Sequence, residues 1–362
     1  MGRALAALAV VAFHLSLAFN DPRYGGTALW LEFTRHGWHG VDFFFALSGF
    51  IILHAHYQDI GRADQLGRYA AKRFFRIYPI YWMLTALVLV IGAGAVQIQK
   101  MNGGDLASTF SLIRFTSSRT PLVPAWTLFH EIFFYALFAI GILRIWAGVA
   151  IFLAWLALIV LFGSAGLPDK SFAAVVVSPL NLSFFAGMGA YLVYAKLTAA
   201  RSVHFFVAGL ILFIALALWG NLVLTRLFYC VFMGTAFFLL ISGVVALEKH
   251  GMVGEVRWLS AVGNASYVLY LMHLVVMTGL LKFAHLAGLM PILGPKALYV
   301  IVLAFTTISC VGVHLAVEKP LQKILTSRLP KPKLFVKDGA VAGAPLGLSA
   351  SAAVPRTTDQ GL

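Results

Sequence analysis

Apolar runs long enough to cross roughly 30 Å of hydrocarbon recur about ten times along this 362-residue chain, more than the core of a water-soluble fold could absorb. Hydrophobic residues make up 61% of the sequence and charged residues only 11%, and the charges gather between the runs. The pattern predicts an all-α polytopic membrane bundle of about ten transmembrane helices, near 4–19, 39–56, 77–95, 124–143, 146–163, 179–195, 204–220, 227–247, 264–284 and 297–317. No internal repeat, soluble domain or Gly/Ser linker interrupts them, so one transmembrane domain is expected over 1–325. A basic tail follows over 326–362, turning Ala/Gly/Ser/Pro-rich and disordered from 338.

Lysine and arginine set the expected orientation. With a cytoplasmic N-terminus, seventeen of them up to Lys337 fall on the inside, among them Arg3, Arg62, Arg68, Lys72, Arg73, Arg76, Lys319 and Lys323, against nine outside. Both termini are therefore placed in the cytoplasm. The net charge of +14 then reads as a topology signal with some attraction to anionic lipid; nucleic acid is not an expected partner. A cleaved signal peptide over 1–19 is the competing account, but a histidine in mid-run is unusual there, and removing the segment would leave the remaining charges on the wrong side. Cys230 and Cys310 lie inside spans without metal-ligand spacing, so neither a disulfide nor a metal site is expected. His130-Glu131 lacks the second histidine of a zinc-protease helix, and neither a phosphate-binding GxxxxGK[ST] loop nor a GxSxG elbow is present. Asn181-Leu182-Ser183 and Asn264-Ala265-Ser266 sit at span edges and read as chance glycosylation matches.

Ionisable groups within a bilayer are costly, and each marks a functional hypothesis. Arg3 and His14 stand at the two ends of the first run, roughly 16 Å apart at 1.5 Å per residue, so a cation at one face looks toward an imidazole beyond mid-bilayer. Asp42 and Glu131 reach a similar depth from the outside, and either carboxylate could orient the His14 ring and favour its work as a base. His130 and His273 read first as helix-to-helix hydrogen bonds, and Asp42 equally as a helix N-terminal anchor. Lys72-Arg73-Phe74-Phe75-Arg76 opens the third span on the cytoplasmic side; Arg73 and Arg76, three apart, form a fork suited to phosphate, although the positive-inside rule alone accounts for them.

Taken in order, these residues resemble acyltransferase family 3, multi-spanning membrane proteins that O-acylate sugars and other cell-surface molecules. The landmarks are Arg3 and His14 with ten residues between them, Gly40 to Phe50 (GVDFFFALSGF), Arg73-x-x-Arg76 followed by Ile77-Tyr78-Pro79, Pro124-Ala125-Trp126-Thr127-Leu128 leading to Glu131 and Phe134-Tyr135, Ser266 to His273 (SYVLYLMH), and Glu318-Lys319-Pro320. The resemblance implies an acyl-CoA donor in the cytoplasm, commonly acetyl-CoA, with no tightly bound cofactor, and an acceptor hydroxyl across the membrane, on a glycan or other surface molecule. It implies a multi-pass protein of the bacterial inner membrane. It also implies that His14 and Glu131 are needed for transfer, that Arg3, Arg73 and Arg76 handle the donor, and that Ser48, His273, Trp126 and Tyr135 serve substrate contact or structure. His14, oriented by Glu131 or Asp42, would deprotonate the acceptor or carry the acyl group itself. Only Met1 and Gly2 precede Arg3, fewer than is usual in the family, which leaves an upstream start or a frayed inner helix end as the two accounts. The basic tail replaces the second transferase domain of some members, so any glycan-assembly partner would be a separate protein.

The runner-up is a proton-coupled exporter or flippase, in which His14, Asp42, Glu131 and His273 form a relay; the cytoplasmic arginines and the lack of inverted repeats argue against it. A non-catalytic scaffold would leave the buried charges unexplained. Segments 20–37 and 96–123 are expected to read the acceptor, with Trp30, Trp38 and Trp126 available to stack on sugar rings or to anchor at the interface.

Overall fold

A computed structural model describes residues 1–91, 101–117, 120–165, 167, 171–220, 224–327 and 329. Chain contacts separate Met1–Arg328 from Leu329–Leu362. The tail expectation and the charges at Lys100, Arg119, Lys170, Arg328, Lys331, Lys333 and Lys337 lie outside the described residues, as does the part of 96–123 up to Lys100.

The described residues form an all-α polytopic bundle. Nine helical stretches among them are long and apolar enough to cross a membrane, and the shorter Gly2–Ala18 is also apolar. In chain order the helices are α1 (Gly2–Ala18), α2 (Gly40–His56), α3 (Leu66–Val90), α4 (Gly103–Ser111), α5 (Trp126–Leu143), α6 (Ile145–Phe162), α7 (Leu182–Tyr194), α8 (Ala199–Ala215), α9 (Arg226–Lys249), α10 (Arg257–Asn264), α11 (Ser266–Leu286), α12 (Leu289–Val313) and α13 (Lys319–Ser327). Each expected span is matched by a helix.

Two boundaries differ from the sequence reading in ways that matter. α3 begins at Leu66, eleven residues ahead of the expected start, so Arg68, Lys72, Arg73 and Arg76 ride on helix instead of preceding it. The residues that break the apolar run leave hydrocarbon while the backbone stays wound, because Lys and Arg are good helix formers. The loop expected over 96–123 contains α4, started by an Asn102/Asp105 capping box and folded against α3. Its last carbonyls are taken up by α3: Tyr81 donates to Thr109 O at 2.8 Å, Trp82 to Phe110 O at 2.9 Å and Tyr78 to Ser111 O at 2.7 Å. A helix end left unpaired there would be costly, and three aromatic donors one turn apart or less satisfy it.

In lipid, helices gain little by hiding apolar surface from one another, so close backbone approach does much of the packing. The α2–α7 seam shows this. A Cβ on Gly187 would overlap the Ala46 carbonyl, and one on Gly49 would overlap the Phe184 carbonyl. α2, α7, α8 and α9 share one buried cluster around Phe50, Met233 and Phe237. α1, α11 and α12 share another around Leu15, Leu281 and Tyr299. The largest cluster joins α1, α2, α3, α5 and α11 through Val11, Phe45, Tyr81, Phe134 and Leu269. α1 is wound from Gly2, and Ala4, Ala7, Val10 and Val11 bury its inner face. Cys230 and Cys310 are buried free thiols.

Replacing Gly187 with Val should therefore force α2 and α7 apart and cost about 2 kcal/mol or more, seen as a lower thermal unfolding midpoint in detergent. Gly279→Ala, where a Cβ meets nothing within 4 Å, should leave that midpoint unchanged or raise it.

Candidate functional site

α1 carries Arg3 at its first turn and His14 near its last. α10 supports the Arg3 end: a Cβ at Gly263 would sit 3.8 Å from Arg3 Cβ and 3.6 Å from Ala4 N. Arg76, Glu318 and Glu131 are the charged side chains near enough to act on Arg3, from α3, the α12–α13 junction and α5.

Arg76 is held on three sides. Its Nη1 donates to Glu318 Oε1 at 3.1 Å and to Gln322 Oε1 at 3.3 Å, and its guanidinium lies 5.4 Å from the Tyr267 ring centre. Tyr267 in turn donates to Ile77 O at 2.9 Å, tying α11 to α3. The buried Glu318 carboxylate also meets His314 Nδ1 at 2.6 Å and accepts from Gln322 Nε2 at 2.9 Å. The chain widens to a π turn over His314–Glu318, which places residues four apart on this one carboxylate. Arg73 lies 5.7 Å from the Tyr135 ring centre, and its buried Nε has no hydrogen-bond partner; the same holds for Arg68 Nε.

Tyr135 donates to Glu131 Oε1, which also accepts from Ser48 Oγ at 3.1 Å. The carboxylate expected to orient His14 is thus engaged with Ser48 and Tyr135, and through the Tyr135 ring it adjoins Arg73. Asp42 is engaged elsewhere as well. Its Oδ2 lies 3.0 Å from His39 Nδ1, and Tyr229 Oη lies 2.7 Å from His39 Nε2, so Asp42, His39 and Tyr229 form a buried chain from α2 to α9.

The ring beside His14 is His273. His273 Nε2 lies 3.3 Å from His14 Nδ1, with ring centres 5.0 Å apart. Hydrogen-bond partners assign the tautomers of the neutral rings. His273 Nδ1 faces two carbonyls, Tyr270 O at 2.8 Å and Leu269 O at 3.2 Å, so it carries the proton and Nε2 is a bare acceptor. His14 Nδ1 faces Val10 O at 2.9 Å and that bare nitrogen, so it also carries a proton. The lone pair of His14 is thereby left on Nε2, and no described residue hydrogen-bonds to it.

Of the remaining aromatics, Trp30 sits edge-on to Tyr299 at 4.8 Å and Trp38 packs on His39 at 3.8 Å, so both are tied into the bundle. Trp126 packs edge-on against His130 at 5.8 Å, with His130 Nδ1 2.9 Å from Asn181 Oδ1. Asn181 is fully buried, and its amide nitrogen donates to Val175 O and Val176 O. Among the described residues no group of three or more His, Cys, Asp or Glu side chains is placed to hold a metal ion.

A family model described as an acyltransferase domain, of the family-3 type, matches residues 1–315. The chain belongs to acyltransferase family 3. It is a multi-pass membrane acyltransferase. The exopolysaccharide production protein ExoZ of Rhizobium meliloti (strain 1021) is 30% identical over 296 residues, covering 78% of this chain and 88% of that protein. No solved structure matches the chain.

The sequence singled out His39, Tyr229 and Gln322 for nothing. Two of them carried local signals: His39 stands three residues before Asp42, and Gln322 four after Glu318 on continuous helix. Tyr229→Phe should leave His39 Nε2 unsatisfied and lower stability by about 1–3 kcal/mol, read as the thermal midpoint, without changing KM for an acyl-CoA. Glu318→Ala, which strands Arg76 and His314 around an empty place, should cost more, about 3–5 kcal/mol, read as loss of folded protein in the same melt.

Proposed function

We propose that this enzyme transfers an acyl group, typically acetyl, from cytoplasmic acyl-CoA to a hydroxyl of an extracytoplasmic glycan at the bacterial inner membrane. The observation that carries this reading is the His14 ring, held through Nδ1 with Nε2 unpartnered, near the far end of the helix that carries Arg3 in its first turn. A pantetheine arm spans about that length, so phosphates at the Arg3 end bring a thioester toward His14. The fit at the donor end rests on buried guanidinium nitrogens at Arg73 and Arg68 that have no partner, on the helix whose Arg76 is held by Glu318 and whose Arg73 lies against the Tyr135 ring. ExoZ, whose name concerns exopolysaccharide production, supports a polysaccharide acceptor.

In the transfer step the acceptor oxygen attacks the thioester carbonyl while His14 Nε2 takes the hydroxyl proton. The tetrahedral intermediate collapses by breaking the carbon–sulfur bond, and the departing thiolate takes that proton to leave as the coenzyme A thiol. The imidazolium formed in between donates from Nδ1 to Val10 O and His273 Nε2, two fixed acceptors. His273 is a positioning residue in this scheme. Glu131 acts on the donor side, holding Tyr135 beside Arg73, and Asp42 braces α2 against α9.

His14→Ala should abolish the acyl increment that mass spectrometry detects on surface glycans of cells carrying the gene; full acylation by that variant would overturn the reading. Arg3→Ala should raise KM for acetyl-CoA by about 10-fold or more with a smaller effect on kcat, the pattern of a lost charge-assisted phosphate contact. His273→Leu removes one of the two acceptors of His14 Nδ1, leaving Val10 O, and should lower kcat by about 10-fold or more with KM for acetyl-CoA unchanged. His273→Gln, which returns an acceptor at about the same reach, should restore part of it.

A further inference from the structure

A cavity of about 300 Å³ opens where α5 and α9 begin, at the end of the bundle away from Arg3. Arg114, Thr120, Trp126, His130, Ser178 and Arg226 supply its polar and aromatic lining. None of its described lining residues is Asp or Glu. It does not belong to the Glu131 cluster: His130 and Glu131 are consecutive on α5, and consecutive helical residues point about 100° apart.

Its polar groups are built in. Arg114 is 7% exposed and lies face-on to Phe129, its guanidinium carbon 3.9 Å from the ring centre, which fixes the plane of its N–H groups. Burial pulls this guanidinium below its ordinary pKa. His130 is 6% exposed. Asn181 Nδ2 donates to two carbonyls, so Oδ1 is the acceptor and His130 Nδ1 the donor, which leaves the lone pair of the neutral ring on Nε2, on a ring that lines the cavity. Trp126, 37% exposed, supplies an indole wall, and Arg226, the first residue of α9, stands at the mouth.

We infer that this cavity binds a carboxylate-bearing saccharide, as an anchoring subsite for an acidic glycan acceptor; the assignment rests on the transferase reading above. Arginine forks match carboxylates in two-point geometry. An indole takes the C–H face of a pyranose, and a held imidazole nitrogen gives a directional contact for a hydroxyl. A phospholipid headgroup shares the charge but has no use for the locked His130 and Asn181 pair. The volume is at the lower end of small-molecule sites, enough for about one or two sugar rings.

The test uses the full-length protein in nanodiscs of neutral phosphatidylcholine, titrated calorimetrically with a glucuronate trisaccharide and with a neutral glucose trisaccharide. The acidic sugar should bind saturably and at least 10-fold more tightly than the neutral one. Arg226→Gln, at an exposed helix start, and Trp126→Ala should each weaken it at least 10-fold, while His14→Ala should bind it as the parent does. Equal binding of the two sugars, no saturable binding at millimolar concentration, or indifference to both substitutions overturns the inference. So does displacement of the sugar when phosphatidylglycerol replaces part of the nanodisc lipid, which would make the cavity a headgroup site. Coenzyme A release from acetyl-CoA, measured on the same preparation, separates the two levels: thioester turnover without charge selectivity contradicts this inference alone, and selective sugar binding without turnover contradicts the transferase reading alone.

Discussion

A polar group in hydrocarbon must find a partner inside the protein, and much of this molecule follows from that requirement. Glu318 collects Arg76, His314 and Gln322; Glu131 collects Ser48 and Tyr135; Asp42 takes His39, which takes Tyr229. Each of these pairings pins one helix to another or fixes a turn, because breaking it would leave a buried charge or donor exposed to lipid. His14 is satisfied on one side only. Its ring is oriented by two acceptors on one nitrogen while the other nitrogen keeps its lone pair.

The two ends of α1 thus have different electrostatic character. At one end, guanidinium groups are held apart by carboxylates and aromatic faces, a geometry that suits phosphate. At the other, two imidazoles sit ring to ring, and His14 Nδ1 faces Val10 O and His273 Nε2. In the reaction proposed above, separating anion binding from proton transfer by a helix length would let a long, flexible thioester carry the acyl group through a barrier that its phosphates do not cross.

Much of this was legible from the residues. Ten apolar runs gave ten helices, since run length and hydrocarbon thickness leave little choice. The Arg3 to His14 spacing is local, and both residues lie on one helix as expected. The start of α3 was misplaced because loss of hydropathy marks where a helix leaves lipid, not where it unwinds, and α4 was passed over although Asn102 and Asp105 spell a capping box. The partner of His14 could not be read, since His273 lies 259 residues further on and two carboxylates, Asp42 and Glu131, were equally plausible by depth. Depth along a helix says nothing of the face, and it is the face that sends Glu131 to Ser48, Asp42 to His39 and His14 to His273.

The most direct measurement places the two substrates on opposite sides of a sealed membrane. In proteoliposomes of oriented enzyme, radiolabelled acetyl-CoA is supplied only to the face carrying Arg3, and an oligosaccharide acceptor only to the other. Label should appear in the oligosaccharide across the bilayer, with coenzyme A released on the donor side, and should be lost with His14→Ala. Transfer only when both substrates share one face, or undiminished transfer by that variant, would contradict a reaction divided between Arg3 and His14.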